Sequence, residues 1–147
     1  MLADGQATYQ FGTGLVGEVR GGATRVYHSD SLGTTRTMSG SSGTASASLE
    51  TDAFGQTVSV GGTFTPFGFA GGHGYQSDPG SGLMKLGHRY YDASTGRFAS
   101  RDPIRADNNW FAYCANDPIN GIDSGRVHTS ELAPLPILRF THLSGCE

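Results

Sequence analysis

The sequence predicts a mainly β protein built from antiparallel hairpins, and three observations support this prediction. Glycine accounts for 23 of the 147 residues, more than twice its usual frequency of about 7%. Hydrophobic residues make up only 36% of the chain and charged residues 16%, which argues against a large helical core and against a disordered polyelectrolyte. Strand-forming residues occur in short runs that end at glycine, aspartate or serine, as in hairpin proteins.

The first part of the chain alternates strand-like runs with turn residues. Gly21-Gly22 and Gly61-Gly62 are expected to close two-residue hairpin turns, because such turns need a positive φ that glycine adopts at little cost. The small, polar segment 39–48 is predicted to be a mobile loop or hairpin tip. The strand-like runs are 8–11, 15–20, 24–27, 49–54 and 57–60.

Three later segments depart from this pattern. Residues 64–72 carry three phenylalanines around Pro66 and are predicted to form an irregular aromatic plug, since proline cannot serve a central strand. A short helix is expected near 107–115, capped by Asp107 or Asn108. The tail 127–147 is too short for a domain and is expected to be ordered only if it docks on the body.

An aspartate followed closely by a glycine recurs along the chain. In each copy the carboxylate is expected to accept backbone N–H groups one to three residues on, while the glycine takes the left-handed conformation that closes the turn. One such pair is common in any loop, but repeated copies spaced by strand-length segments indicate a repeated supersecondary unit. The pairs are Asp30 and Gly33, Asp52 and Gly55, Asp78 and Gly82, and Asp92 and Gly96.

Charge and composition exclude several classes of function. The net charge of −3 and the pI near 5.9 provide no basic surface for nucleic acid or for an anionic membrane. No apolar run reaches the roughly 18 residues that a membrane-spanning helix needs, and the first residues lack the features of a signal peptide. No cofactor and no metal is expected, since Cys114, Cys146 and the five histidines do not have ligand spacing.

The segment 85–104, KLGHRYYDASTGRFASRDPI, closely resembles the RHS repeat-associated core domain of bacterial Rhs and YD-repeat proteins. Further similar elements are YHSDSLGTTR at 27–36, TDAFGQ at 51–56, FGFAGG at 67–72 and NWFAYCANDPINGID at 109–123. The resemblance covers about residues 9–126. The residues that would build the repeat architecture are Asp30, Gly33, Asp52, Gly55, Arg89, Tyr90, Tyr91, Asp92, Gly96 and Arg97.

The resemblance implies an architecture and an activity. Members of this polymorphic toxin family wind YD repeats into a β-shell around a C-terminal cargo, often a toxin, and the core domain closes that shell. In many members the core is also an intramolecular aspartyl protease that cuts just after itself. The family's two catalytic aspartates map onto Asp102 and Asp123, and its neighbouring arginine maps onto Arg101.

Two carboxylates that share one proton can activate a water for peptide hydrolysis, and a nearby arginine favours the charged form of one of them. The structural alternative is that Asp102 and Asp123 are turn aspartates, like Asp92. The sequence departs from the family motifs here: Arg105 replaces a glycine, Ser124 replaces a proline, and Val127 stands where a leucine precedes the cut. These departures favour a structural role.

We therefore interpret residues 1–126 as a structural C-terminal core module that closes a YD-repeat shell, followed by a variable tail, 127–147. The expected partner is an upstream YD-repeat shell or the chain's own tail. One alternative is a self-cleaving aspartyl peptidase that releases the segment after about residue 127. Another is a module that binds carbohydrate or a cell surface through stacked aromatic rings. Family members are secreted or associated with the cell surface, and the compartment of this chain is unknown.

Overall fold

Short hairpins closed by glycine build the fold, as the sequence predicts. The structure is a computed structural model and describes residues 2–3, 5–62, 65–103 and 109–123. Within these residues it contains two antiparallel sheets, one of seven and one of four strands, and almost no helix. The prediction of a mainly β protein is confirmed.

The larger sheet is a meander in which each strand pairs with the next one along the chain. A right-handed twist and short turns make this the simplest antiparallel topology. Its strands are β1 (Leu2–Ala3), β2 (Ala7–Phe11), β3 (Leu15–Arg20), β4 (Ala23–Ser29), β5 (Thr35–Gly40), β6 (Ala45–Thr51) and β7 (Thr57–Gly62).

The smaller sheet follows in the chain and has the order β11-β10-β9-β8. A further segment continues it beyond β11, because the N–H of Phe98 donates to the carbonyl of Phe111 and the N–H of Asp102 donates to that of Trp110, each over 2.9 Å. The strands are β8 (Gln76–Ser77), β9 (Met84–Leu86), β10 (Arg89–Asp92) and β11 (Arg97–Phe98).

The two glycine pairs behave differently. Gly21 and Gly22 form the predicted hairpin turn between β3 and β4, with φ of 56° and 79°. The prediction for Gly61-Gly62 is wrong, because both residues lie inside β7 and pair with Ser48 and Ala47. Gly62 has a φ of 79°, and a Cβ on it would lie 2.1 Å from the carbonyl oxygen of Ser46, so both the backbone conformation and the close approach of β6 require glycine there.

Two other predicted irregular segments are smaller than expected. Most of 39–48 belongs to β5 and β6, which leaves only 41–44 as the hairpin loop. The helix expected near 107–115 is a single 3-10 turn, Cys114–Asn116, while residues 104–108 lie outside the described part of the chain. Its residues have positive φ, which a right-handed α-helix does not permit.

The segment 65–72 joins the cores of the two sheets, which bears out its interpretation as an aromatic plug. Phe67 packs edge-on against Tyr9 of the larger sheet with 4.7 Å between ring centroids. Phe69, two residues later, packs in the core of the smaller sheet with Tyr75 and Tyr113. The amide of Thr35 donates to the carbonyl of Gly68 over 2.9 Å and fixes the plug to β5.

Candidate functional site

The four Asp-to-Gly pairs form the turns between successive strands. The Asp30 carboxylate accepts the N–H groups of Leu32 and Thr34 at 3.0 and 2.9 Å. The Asp52 carboxylate accepts the corresponding two groups in its own turn, both at 2.9 Å. Asp78 and Asp92 each accept one amide two residues on. The closing glycines, Gly33, Gly55, Gly82 and Gly96, have φ between 67° and 88°.

Aromatic rings cover three of these turn glycines. A Cβ on Gly55 would lie 2.5 Å from the ring of Phe69, and a Cβ on Gly96 would lie 2.9 Å from the ring of Phe54. The ring of His73 covers Gly33 in the same way. Glycine is therefore required at these turns by packing between the two sheets as well as by φ.

Tyr91, in the Tyr91-Asp92 pair of β10, connects the two sheets directly. Its side chain is fully buried, whereas the adjacent Tyr90 is 47% exposed. The hydroxyl of Tyr91 donates to the carbonyl of Phe54 over 2.8 Å, within the Asp52 turn. Burial raises the pKa of Tyr91, so the hydroxyl remains a donor at physiological pH.

A buried charge cluster in the larger sheet was not predicted from the sequence. Glu18 on β3 is completely buried, and its carboxylate lies 2.9 Å from the guanidinium of Arg25 and 3.5 Å from that of Arg20. The hydroxyl of Tyr27 donates to the second carboxylate oxygen over 2.8 Å. A buried carboxylate is tolerated only with partners of this kind.

The position of the hairpin turn explains why Glu18 and Arg25 face each other. Gly21 and Gly22 close the hairpin symmetrically, so the register places Glu18 opposite Arg25. Opposite charges on facing residues of neighbouring strands attract each other. What the sequence does not indicate is that the pair faces the core, because a glutamate in an alternating strand is normally taken as solvent-facing.

Asp123, the last described residue, is held on the smaller sheet by two side chains. The guanidinium of Arg89 forms an ion pair with its carboxylate, and the hydroxyl of Tyr75 donates to its backbone carbonyl. The side chains of Arg89 and Asp123 are each only 13% exposed. The guanidinium of Arg89 also lies over the ring of Phe98, 3.6 Å from its centroid, in a cation–π contact.

The tyrosine that bonds Asp123, Tyr75, is in turn hydrogen-bonded to a second buried tyrosine, Tyr113. The hydroxyl of Tyr113 donates to that of Tyr75 over 3.3 Å. Burial raises the pKa of both phenols far above its usual range. Tyr75 and Tyr113 are therefore neutral hydrogen-bond donors rather than acids, and the chain of donors ends on the carbonyl of Asp123.

The other two residues of the predicted catalytic set lie in the segment after β11. Asp102 is fixed through its backbone N–H, which donates to Trp110. The guanidinium of Arg101 lies 5.6 Å from the centroid of the Trp110 ring. The residues by which the chain departs from the family motifs, Arg105, Ser124 and Val127, lie outside the described part, as does the predicted cut.

An open sheet edge and an apolar groove lie at the far end of the larger sheet. Among the described residues, β7 pairs with β6 on one side only. Val58 and Val60 on this strand are 70% and 59% exposed. A groove of about 110 Å³ is lined by Thr57 and Val60 of this strand and extends to Phe69 of the plug. The strand contains no charged residue or proline, which are the usual protections of an exposed edge.

Metal-binding clusters and membrane-spanning helices are absent from the part of the chain that the structure describes. No group of three or more histidine, cysteine, aspartate or glutamate side chains could hold a metal there. None of the helical turns in the same residues has the length and hydropathy needed to cross a bilayer. The largest of the fully buried side chains are the aromatic residues Tyr9, Tyr91, Tyr113 and Phe67 of the two cores.

In sequence, part of the chain is similar to a protein of Escherichia coli. No family model matches the chain. The uncharacterized protein YlbH of Escherichia coli strain K12 is 46% identical over 62 residues, which are 41% of this chain and 26% of YlbH. The matched part is therefore about a quarter of that relative.

Solved structures of Tc toxin components share the fold. The chain superposes on the crystal structure of TcdB2-TccC3 with a TM-score of 0.70 and 19% identity, over 80% of this chain and 6% of that chain. For the TcdB2-TccC3-Cdc42 crystal structure the TM-score is 0.72, with 18% identity over 81% and 6% of the two chains. The structure of the Photorhabdus luminescens Tc holotoxin pore with a mutated TccC3 gives a TM-score of 0.72 and 17% identity. This superposition covers 94% of this chain and 7% of that chain.

These matches show which fold the chain shares and how small a part of the solved chains it corresponds to. The chain shares its fold with part of the TcdB2-TccC3 chains, which supports the Rhs-like fold that the sequence resemblance implies. The chain spans only about one fifteenth of the length of each solved chain. In those structures a unit of this fold is thus a small part of a much longer polypeptide within a multi-chain toxin complex.

Proposed function

We propose that this chain is the structural core module that closes an Rhs YD-repeat β-shell at its C-terminal end, around a cargo or toxin. The observation that carries the proposal is that, among the described residues, β7 pairs on one side only, with Val58 and Val60 exposed and Val60 lining an apolar groove. An unprotected edge strand of this length is normally covered by another strand. The opposite edge of the sheet, β1, is only two residues long.

The packing between the two sheets is consistent with a rigid module. The plug joins the two cores, and three of the turn glycines are covered by rings from other turns or from the plug and the 3-10 turn that follows it. We expect the element that closes a shell to be rigid and to have one strand edge that can pair with another strand. The joined cores and the edge of β7 in the described residues are consistent with this expectation. The similarity to a small part of the longer Tc toxin chains supports the same role.

The proposal is tested by complementation of a shell. An Rhs YD-repeat polypeptide truncated before its own core domain is co-expressed with the full 147-residue chain, and co-purification and protease protection of the shell interior are measured. We expect the chain to co-purify and to protect. The double change Val58→Lys, Val60→Lys should abolish both effects, because lysine on an edge strand opposes pairing.

The matched control is Val16→Lys, because Val16 is 50% exposed but lies on the inner strand β3. This variant should assemble like the unmodified chain. Equal loss of assembly in both variants, or failure of the unmodified chain to associate with the shell, contradicts the closure function.

A second candidate function is self-cleavage by an aspartyl dyad of Asp102 and Asp123. The observation that favours it is that Asp123 is held at both its carboxylate and its carbonyl by Arg89 and Tyr75. The carboxylate of a turn aspartate such as Asp92 instead accepts hydrogen bonds from the backbone amide and the hydroxyl of the nearby Ser94. In the dyad reaction one aspartate takes a proton from water as its oxygen attacks the peptide carbonyl, and the other donates a proton to the carbonyl oxygen.

Intact-mass analysis tests this function. We expect slow appearance of two fragments whose masses correspond to a cut near residue 127, and loss of both in Asp123→Asn and in Asp102→Asn. A chain that retains its full mass after long incubation over a range of pH contradicts self-cleavage and leaves the closure function in place.

A further inference from the structure

We propose that the apolar groove at the end of the larger sheet is a pocket for one apolar side chain, about the size of leucine, on the shell strand that pairs with β7. This inference rests on the closure function and adds to it the chemistry of the partner strand. An open strand edge by itself accepts many extended segments, because backbone hydrogen bonds provide affinity, whereas pockets for alternate side chains provide specificity. The groove therefore selects among the segments that the edge could bind.

The groove lies where the cores of the two sheets approach each other. Its lining includes Met38 from the core of the larger sheet and Ala47, which packs against that core. It also includes Phe69 and Met84 from the core of the smaller sheet. A side chain that enters the groove therefore contacts apolar residues of both sheets, and the burial of this apolar surface favours its binding.

Strand pairing at β7 brings a side chain of the partner to the groove. Val60 pairs with Leu49 of β6, and both residues line the groove. Side chains of directly opposite residues on neighbouring strands lie on the same face of the sheet, with Cβ atoms about 5 Å apart. The residue of an added strand that lies opposite Val60 is therefore placed beside the groove, on the face that Val60 and Leu49 share.

The polarity and the volume of the groove indicate which side chain it accepts. Among the described residues that line it, Arg36 is the only charged one. Its guanidinium donates to the carboxylate of Asp30 over 2.9 Å and to the hydroxyl of Thr51 over 3.4 Å, so its charge already has a partner of opposite sign. An apolar cavity of about 150 Å³ holds a benzene molecule. A groove of about 110 Å³ therefore suits leucine, isoleucine or methionine better than a charged side chain or tryptophan.

The test measures the affinity of the full 147-residue chain for the truncated Rhs YD-repeat polypeptide of the complementation experiment, by titration of the fluorescently labelled chain. Ala47→Leu enlarges a lining side chain and occupies part of the groove while it leaves β7 unchanged. We expect this variant to bind at least about tenfold more weakly. Ala45→Leu is the matched control, since it makes the same change at an exposed position of β6 that does not line the groove. It should bind within about twofold of the unmodified chain.

A second variant covers the case in which Ala47→Leu does not fold, which circular dichroism shows. Thr57→Phe places a ring at the groove from an exposed position of β7, and phenylalanine is well accepted in strands. It should also weaken binding at least about tenfold. Ser59→Phe is its control, because Ser59 is an exposed residue of the same strand that does not line the groove.

A double-mutant cycle identifies the side chain that enters the groove. Each residue of the last strand of the YD-repeat polypeptide is changed to alanine in turn, and the affinity of each variant is measured. One apolar position should lose at least about tenfold in affinity. The same change should have little effect against Ala47→Leu, or against Thr57→Phe, because the groove is then already occupied and the two residues are coupled.

The outcomes separate this inference from the closure function. If the unmodified chain binds and Val58→Lys, Val60→Lys does not, but the groove variants bind with unchanged affinity, the pocket is refuted and the closure function stands. If the unmodified chain does not bind the polypeptide, the closure function fails and the pocket fails with it. Two further results would assign the groove to another occupant and overturn the proposal. Light scattering would show that the groove variants lose self-association, or proteolysis of residues 127–147 would become faster in them.

Discussion

The carboxylate of Glu18 lies 2.9 Å from the guanidinium of Arg25 on the next strand, and the Glu18 side chain has no exposed surface at all. Arg20 and Tyr27 complete its surroundings. An ion pair at this depth adds little net stability, since desolvation offsets its attraction, but removal of one partner leaves the other charge buried. The pair therefore constrains which register of the β3–β4 hairpin can fold.

Glu18→Ala should destabilise the protein by about 3 kcal/mol, at the low end of the range for a broken buried pair, because Arg25 and Arg20 retain 16% and 20% exposure of their side chains. Urea unfolding followed by circular dichroism measures the change. Glu50→Ala removes an exposed glutamate of the same sheet and should change stability by less than about 0.5 kcal/mol. Equal effects of the two changes would show that Glu18 is not a buried partner.

Gly55→Ala should cost about 3 kcal/mol, because alanine is strained at positive φ and its Cβ would also collide with a packed ring. At this position φ is +88° and the Phe69 ring lies 2.5 Å from the added Cβ. Gly22→Ala separates the two causes: its φ is +79°, yet nothing lies within 4 Å of the added Cβ. It should cost only about 1 kcal/mol. Thermal unfolding of both variants provides the comparison, and similar losses would refute close packing at the Asp52 turn.

Tyr91→Phe should lower stability by about 1 to 2 kcal/mol, because it leaves the Phe54 carbonyl without its hydrogen-bond donor between the two sheets. Tyr90→Phe makes the same chemical change at the adjacent residue, whose side chain is 47% exposed, and should have almost no effect. Denaturant unfolding of the two variants is directly comparable, since their composition is identical. A Tyr90 effect as large as that of Tyr91 would contradict the observed contact between the sheets.

The turn at Asp92 should contribute a pH-dependent part of the stability. Hydrogen bonds from the Ser94 hydroxyl and amide lower the pKa of Asp92. Because the folded-state pKa is the lower one, the contribution is fully present above the ordinary value of about 3.9 and is lost as pH falls through the folded-state pKa. Ser94→Ala should therefore destabilise the protein near neutral pH, and its difference from the unmodified chain should shrink below about pH 4.

Unfolding in urea at several pH values measures this difference. Ser59→Ala, at an exposed position of β7, is the control and should follow the unmodified chain throughout. A Ser94→Ala difference that is the same at acidic and neutral pH would exclude a role of the Asp92 carboxylate in it.

Several features could be predicted from the sequence because their causes are local. The Asp-to-Gly turns depend on a carboxylate and a glycine within four or five residues of each other, and both are visible in the printed chain. The Gly21-Gly22 turn depends on φ alone. The prediction for Gly61-Gly62 failed because a glycine pair also suits a strand that another backbone approaches closely, and proximity to Ser46 is not a local property.

The features that position the candidate site depend on residues far apart in the chain. Arg89 and Asp123 are separated by 34 positions, and Tyr91 and Phe54 by 37. No pattern of charge or hydropathy distinguishes Arg89 as the partner of Asp123 from Arg97 or Arg101, since each of the three has an aromatic residue and an aspartate within five positions. Only the packing of β10 against the segments on either side selects one of them as the partner of Asp123.

The residues alone are sufficient to predict antiparallel hairpins with aspartate–glycine turns, because turn geometry acts over a few neighbouring positions. Burial is different in kind, since it depends on what the rest of the chain places around a side chain. The complete burial of Glu18 and the pairing of Arg89, rather than Arg101, with Asp123 are therefore decided by the tertiary structure, which brings residues from different parts of the chain together.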